Sequence, residues 1–364
     1  MKELVTRRGA VPLPAFFPDA TYGALRAAGF DDAESAQVPG VVMNTFHLYQ
    51  RPGARLVKSL GGLHAFCGWP GAILTDSGGF QLFSLIRENP SYGEIRDGEI
   101  IFRPDSGGKM IFTPEKCIQA QYQLGSDILM ALDLCTHPDD APEAQRRSVE
   151  LTVAWGRRCR AEFDKLFSGK EDRPLLFGIV QGGGDRALRM ECGERLREIG
   201  FDGFGFGGWP LKGDGTLHEE SLQYAAEAMD PDKPRYAMGV GRPEEIVRCV
   251  DMGYTLFDCV IPTREARHQR LYVFREGCDR PDALRSGKPG AAGSFYRFHY
   301  CLDDAHARSA KPVDESCDCP LCTRYSRAYL HHLWKVGDPQ AQRLATAHNL
   351  RFYQRLMALL RDGN

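Results

Sequence analysis

The sequence predicts an α/β protein organised as a (β/α)8 TIM-type barrel, with a small cysteine-rich subdomain near the C-terminus. Three observations predict it. Short apolar runs alternate with amphipathic stretches from about residue 39 onward. Polar or glycine residues stand at the C-terminal end of run after run. Three cysteines crowd together late in the chain.

The apolar runs read as buried strands: Val41-Val42-Met43, Ala72-Ile73-Leu74, 127–132, 175–180, Gly203-Phe204-Gly205-Phe206, Tyr236-Ala237-Met238 and Thr255-Leu256-Phe257. Helical patterns lie between them, over roughly 143–166, 185–198, 217–228 and 243–252. Another helix opens at Thr113-Pro114-Glu115, where an N-cap, a proline at the first helical position and an early acid come together. Buried strands alternating with helices predict a parallel sheet with right-handed crossovers. Seven or eight such units over about 270 residues fit a closed barrel better than an open sheet, although spacing alone leaves the open sheet possible. Each run ends in a residue of interest: Asn44, Asp76, Asp133, Gln181, Gly207-Gly208, Gly239 and Asp258. In a barrel that end is where active sites assemble. One polar strand end means little, but three carboxylates and an amide together favour a site.

After residue 275 the pattern changes, so the chain divides into a barrel over 1–275 and a second region over 276–364. Residues 278–294 have turn-rich loop composition. The cysteines follow, then two helices at about 323–335 and 339–360.

Composition bounds the function. The chain has 364 residues, 43% of them hydrophobic, and a formal charge of −2. Bulk charge does not point to nucleic acid, so any RNA contact must come from a local basic patch. The N-terminal stretch lacks an apolar signal core and no run of 18 apolar residues occurs. The expectation is a cytoplasmic protein with no membrane span.

Cys317, Cys319 and Cys322 supply three soft ligands in one knuckle. Among 12 cysteines, this crowding reads as a metal site in a reducing compartment rather than a disulfide framework. Tetrahedral zinc needs a fourth ligand, with His331, His332 and His348 as candidates. Four protein ligands would close the coordination sphere and make the zinc structural.

Thr75-Asp76-Ser77-Gly78-Gly79-Phe80-Gln81 resembles the Asp-Ser-Gly-Gly-Tyr/Phe-Gln signature of the tRNA-guanine transglycosylase family. Phe257-Asp258-Cys259-Val260-Ile261-Pro262-Thr263-Arg264 resembles that family's nucleophile segment. Asn44-Thr45-Phe46-His47-Leu48, Arg51-Pro52-Gly53, Gly178-Ile179-Val180-Gln181-Gly182-Gly183, Met238-Gly239-Val240-Gly241 and 326–333 are similar as well. The likeness runs from about Thr6 to Met357, in the family's order.

The resemblance implies a zinc-bearing barrel whose ligands are Cys317, Cys319, Cys322 and His348. It implies exchange of guanine in tRNA, at the anticodon wobble position, for a 7-deazaguanine. Asp258 would attack the ribose as nucleophile and Asp76 would be general acid/base. Asp133, Gln181, Gly207 and Gly208 would read the base edge, and Phe80 and Met238 would sandwich the ring. Asn44 would support the ribose and Asp76. Arg264 and Arg267 would contact flanking nucleotides. Tyr325, Tyr329 and His332 match a dimer-interface cluster, so a homodimer is expected.

The chain also departs from the family pattern. Trp209-Pro210-Leu211-Lys212-Gly213 replaces Leu-Ala-Val-Gly-Glu, removing a glutamate and an N–H and adding a lysine expected to lie near the base. Asp19 stands at an apolar ribose-pocket position, and His268-Gln269 replace Asn-Gly. These changes predict preference for a neutral or differently substituted deazaguanine over an aminomethyl cation. Competing expectations are a paralogue using a salvaged base such as queuine, or acting on DNA, and a non-catalytic RNA-binding partner subunit. Retention of both Asp76 and Asp258 argues against the last.

Overall fold

The computed structural model describes residues 1–103, 107–285 and 295–363. Eight parallel strands form one sheet: β1 (Ala15–Pro18), β2 (Gly40–Met43), β3 (Ala72–Thr75), β4 (Ile128–Met130), β5 (Leu175–Val180), β6 (Gly203–Phe206), β7 (Arg235–Ala237) and β8 (Leu256–Cys259). Each strand neighbours the next in sequence, from β2 round to β8, and β8 pairs with β1. The ring comes close to closure between β1 and β2, where Asp19 bridges Val42 in parallel and the Ala20 amide donates to the Val42 carbonyl at 2.7 Å.

Seven strands fall on the anticipated runs. The exception is β1, which precedes residue 39 and was not anticipated. It has only four residues, all buried, and ends in proline. Without alternation or length it carries no periodic signal, and its partner β8 lies some 240 positions away along the chain.

The helices follow the pattern closely. Pro142–Phe167, Arg186–Ile199, Glu219–Ala228 and Pro243–Asp251 lie between the strands. Thr113 caps Pro114–Leu124 by accepting from the Lys116 amide. The helix expected at 323–335 is instead two, Pro320–Arg324 and Arg327–Lys335, because Ser326 starts a new N-terminus by accepting from the Tyr329 amide. The last helix, Pro339–Asp362, packs against the barrel: Tyr353 donates to the Gly241 carbonyl at 2.6 Å and Gln354 to the Phe16 carbonyl at 3.1 Å. Phe352, Leu356 and Met357 join the main core. Of the turn-rich stretch 278–294, residues Pro281–Arg285 form a 3-10 turn, and 286–294 lie outside the described residues. Among the described residues no helix is long and apolar enough to cross a membrane.

Candidate active site

The loops leaving the strands enclose a cavity of about 370 Å³ over the C-terminal mouth of the barrel. Asn44, Asp76, Phe80, Asp133, Gly208, Met238 and Asp258 all line it. Residues from β2, β3, β4, β6, β7 and β8, or from the loops that follow them, therefore converge as the strand ends predicted. Gln181 and Gly207 are not in the lining. They lie immediately beneath it, where a Cβ on Gly207 would stand 2.5 Å from the Gln181 side chain.

Asp76 follows β3. One carboxylate oxygen accepts from the Thr45 amide at 2.9 Å and the Gly78 amide at 3.1 Å. The other accepts from Asn44 Nδ2 at 2.5 Å and Gln81 Nε2 at 3.3 Å. Burial pushes its carboxyl up to about 7 against the pull of the two amides, and the charges of Asp258 and Asp19 add to the rise. Asn44 also caps its own helix, accepting from the His47 amide. One residue thereby starts a helix and steers the carboxyl group.

Asp258 lies within β8. Its Oδ1 accepts from the Tyr236 hydroxyl at 2.7 Å and the Gly239 amide at 2.9 Å. Burial raises its carboxyl to about 6, the amide and hydroxyl hold it down, and Asp19 pushes it up. Asp133 accepts from Gln181 Nε2 at 2.6 Å and weakly from Ser77 at 3.4 Å, and burial places it at about 6. Gln181 is fully buried and its Oε1 has no hydrogen-bond partner among the described residues.

Phe80 is 39% exposed and meets Trp209 edge-on, with ring centroids 5.4 Å apart. Trp209 and Pro210 line the cavity, but Lys212 does not: it is exposed, turned outward by the Lys212 amide to Thr216 carbonyl bond. The loop thus presents an indole and a proline to the cavity, while the lysine charge stays close enough to act on His218 behind Trp209. Arg264 is exposed on the helix Ile261–Arg267, and Arg267 donates to Thr263 at 3.1 Å. Both stand outside the cavity. Burial, then Arg26 and Arg264, lower the Arg267 guanidinium, so three cations gather there.

Sequence reasoning missed Tyr236 as a partner of Asp258. Period-two spacing carried the signal, since Tyr236 stands two residues before Met238, which lies just past the end of β7 and was already assigned to the cavity. It placed Asp19 at a ribose-pocket position, and Asp19 does line the cavity, accepting from Thr21 at 2.5 Å.

Cys317, Cys319, Cys322 and His348 form a buried cluster whose ligand atoms lie within 4.8 Å of one another. His348 Nδ1 stands 3.8, 3.5 and 3.3 Å from the three sulfurs, and Nε2 meets the Tyr272 carbonyl at 2.8 Å. A proton on Nε2 leaves the Nδ1 lone pair facing the thiols, the orientation a metal-bound histidine takes. Arg351 clamps Asp318 inside the knuckle with bonds of 2.6 and 2.8 Å. His331 and His332 stand apart from the cluster. Three soft donors and one imidazole, all buried, fit zinc.

A parallel barrel with carboxylates converging over its mouth, beside a Cys3His cluster able to hold a metal ion, defines a barrel enzyme equipped for acid–base chemistry. The chain belongs to the queuine tRNA-ribosyltransferase family, whose model matches residues 1–363. At family level it is thus a tRNA-guanine transglycosylase, a pentosyltransferase of tRNA modification.

Proposed function

We propose that this chain replaces guanine at the anticodon wobble position of tRNA with a 7-deazaguanine, through a covalent ribosyl–Asp258 intermediate. The observation that carries the reading is the pairing of Asp258 and Asp76 in one cavity with different surroundings: Asp76 takes hydrogen bonds on both oxygens, Asp258 on one. Asp258, at about 6, is largely ionised at neutral pH and keeps one oxygen free of hydrogen bonds among the described residues. That oxygen attacks the ribose C1′ as the C1′–N9 bond to guanine breaks. Asp76, at about 7, is poised between its forms. It gives a proton to the departing guanine and takes one from the entering base. The entering base then displaces Asp258, and two inversions leave the β configuration in place.

Asp133 accepts from the base's ring N–H and exocyclic amine, held in place by Gln181. The Gly208 amide meets the six-position oxygen, and Phe80 and Met238 flank the ring. Arg264 and Arg267 take the flanking nucleotides. Cys317, Cys319, Cys322 and His348 hold a structural zinc that ties the knuckle to the last helix. The free cysteines fit a reducing cytoplasm. The stack of half-buried Tyr325 on exposed Tyr329, with centroids 5.0 Å apart, sits at a homodimer interface. Transfer of labelled guanine into tRNA tests the reading; a pure, folded, zinc-loaded protein with no exchange would reject it.

A further inference from the structure

A second, much smaller cavity lies behind Trp209, sharing Gly208 and Trp209 with the large one. It has about 10 Å³ of free space, room for one water or one terminal atom of a ligand. Arg189, His218, Ser221 and Thr136 form its polar wall, and no carboxylate lines it.

Arg189 is 1% exposed. Its bonds go to backbone carbonyls: Val180 at 2.5 Å, Gly207 at 2.9 Å and Gly183 at 2.9 Å. Its guanidinium lies over the Phe206 ring at 4.6 Å. Nη2 makes no hydrogen bond among the described residues, and it stands 3.7 Å from where a Cβ on Gly208 would be. Burial lowers Arg189 only to about 10, so it carries its charge at neutral pH with no ion-pair partner among the described residues. An uncompensated buried cation is costly and favours an acceptor or anion beside it. His218 adds a buried Nδ1 without a partner among the described residues, and its Nε2 faces Ser221 at 3.4 Å. Burial, then Lys212 and Arg189, lower His218, with Glu220 acting weakly in the opposite sense, so the ring stays neutral and can donate.

We propose that this cavity is the subsite for the 7-substituent of the incoming base, and that it takes a substituent ending in a hydrogen-bond acceptor rather than an ammonium. The inference rests on the base orientation proposed above. In a 7-deazaguanine the seventh position adjoins the six-position oxygen across C5. With that oxygen on the Gly208 amide, the substituent runs along the residues that follow, Trp209 and Pro210. Pro210 has no N–H, and its carbonyl is already taken by the His218 amide at 2.7 Å. The acids of the large cavity sit elsewhere. Asp133 is at the amine edge, and Asp76, Asp258 and Asp19 are at the ribose. An ammonium here would meet Arg189 with no carboxylate to offset it. A nitrile nitrogen or a carboxylate oxygen would instead accept from Arg189 Nη2 and His218 once Trp209 swings aside.

Calorimetric titration of the whole protein with 7-cyano-, 7-carboxy- and 7-aminomethyl-7-deazaguanine tests the assignment. The aminomethyl base should bind at least about tenfold more weakly than the better of the other two. Which of those two leads distinguishes a neutral from a charged acceptor. Aminomethyl binding as tight as either one overturns the proposal. Trp209→Glu puts a carboxylate on the shared wall at a half-exposed position and should invert the order; an unchanged order also overturns it. Labelled guanine exchange on the same preparation separates the two readings. Binding in the expected order without exchange defeats only the proposed reaction, and exchange with an aminomethyl preference defeats only this subsite.

Discussion

The Cys3His cluster and the barrel-mouth cavity both draw ionisable groups out of water, but by opposite means. The cluster uses residues within 317–348, buries all four and gives His348 a backbone carbonyl on its far side. The cavity draws on all eight strands or their loops and, among the described residues, leaves groups unsatisfied: an orphan oxygen on Gln181 beneath it, an unbonded oxygen on Asp258, and carboxyl groups raised to about 6 or 7. One arrangement is built so that a bound metal ion would close its coordination sphere and add stability. The other holds charge in poor solvation, at a cost to stability, and keeps it available for a substrate.

The sharpest way to break that contrast is Asp258→Asn. It keeps the size and both hydrogen bonds but removes the attacking charge, so both exchange and the covalent tRNA adduct should vanish. Denaturing gels with the incoming base withheld would show this. Asp76→Asn should slow exchange about 10²–10⁴-fold, with tRNA binding retained. An adduct that survives in Asp258→Asn would move the nucleophile to Asp76.

For the cluster, elemental analysis should find about one zinc per chain. Cys319→Ser should lower unfolding stability by about 4 kcal/mol or more, since loss of a structural metal is among the few changes of that size. A zinc-free protein of unchanged stability would reject the contrast from this side.

The cavity's cost should appear in its pH dependence. Exchange should fall below about pH 6 as Asp258 takes up a proton, and fall again above about pH 7 as Asp76 loses one. In the folded chain Asp258 holds its proton to higher pH than in the unfolded chain. Its contribution to stability is therefore intact below about pH 4 and is lost as pH rises through about 6. Asp258→Asn should then gain about 1–2 kcal/mol at pH 8, allowing for solvent in the cavity, and nothing at pH 4. Urea unfolding at the two pH values measures both. Equal stabilities at pH 8 would show that the cavity carries no such strain.

The smallest effect belongs to the Tyr325–Tyr329 stack. Tyr329→Ala should weaken the dimer without changing the fold, as followed by light scattering at micromolar concentration. A stable wild-type monomer would remove the dimer altogether.

Much of this molecule was legible in the sequence, wherever the information is local. Seven strand runs, the Thr113 cap and the knuckle cysteines depend on neighbours a few residues apart. So do the polar strand ends that led to Asp76, Asp133 and Asp258. Tertiary structure decided whatever depends on which strands lie side by side and how the ring closes. Ala15–Pro18 is a strand only because β8 offers it a ladder. Among the three late histidines, folding of the last helix over the hairpin strand Arg270–Phe274 brought His348, not His331 or His332, to the sulfurs. Tyr236 reaches Asp258 because β7 and β8 are neighbours, Gln181 sits beneath the lining because Gly207 leaves it room, and Lys212 faces solvent because its loop turns back on Thr216. Protonation is the most collective property of all. A carboxyl group near 7 arises from burial and from carboxylates brought in on other strands, and neither exists until the barrel has formed.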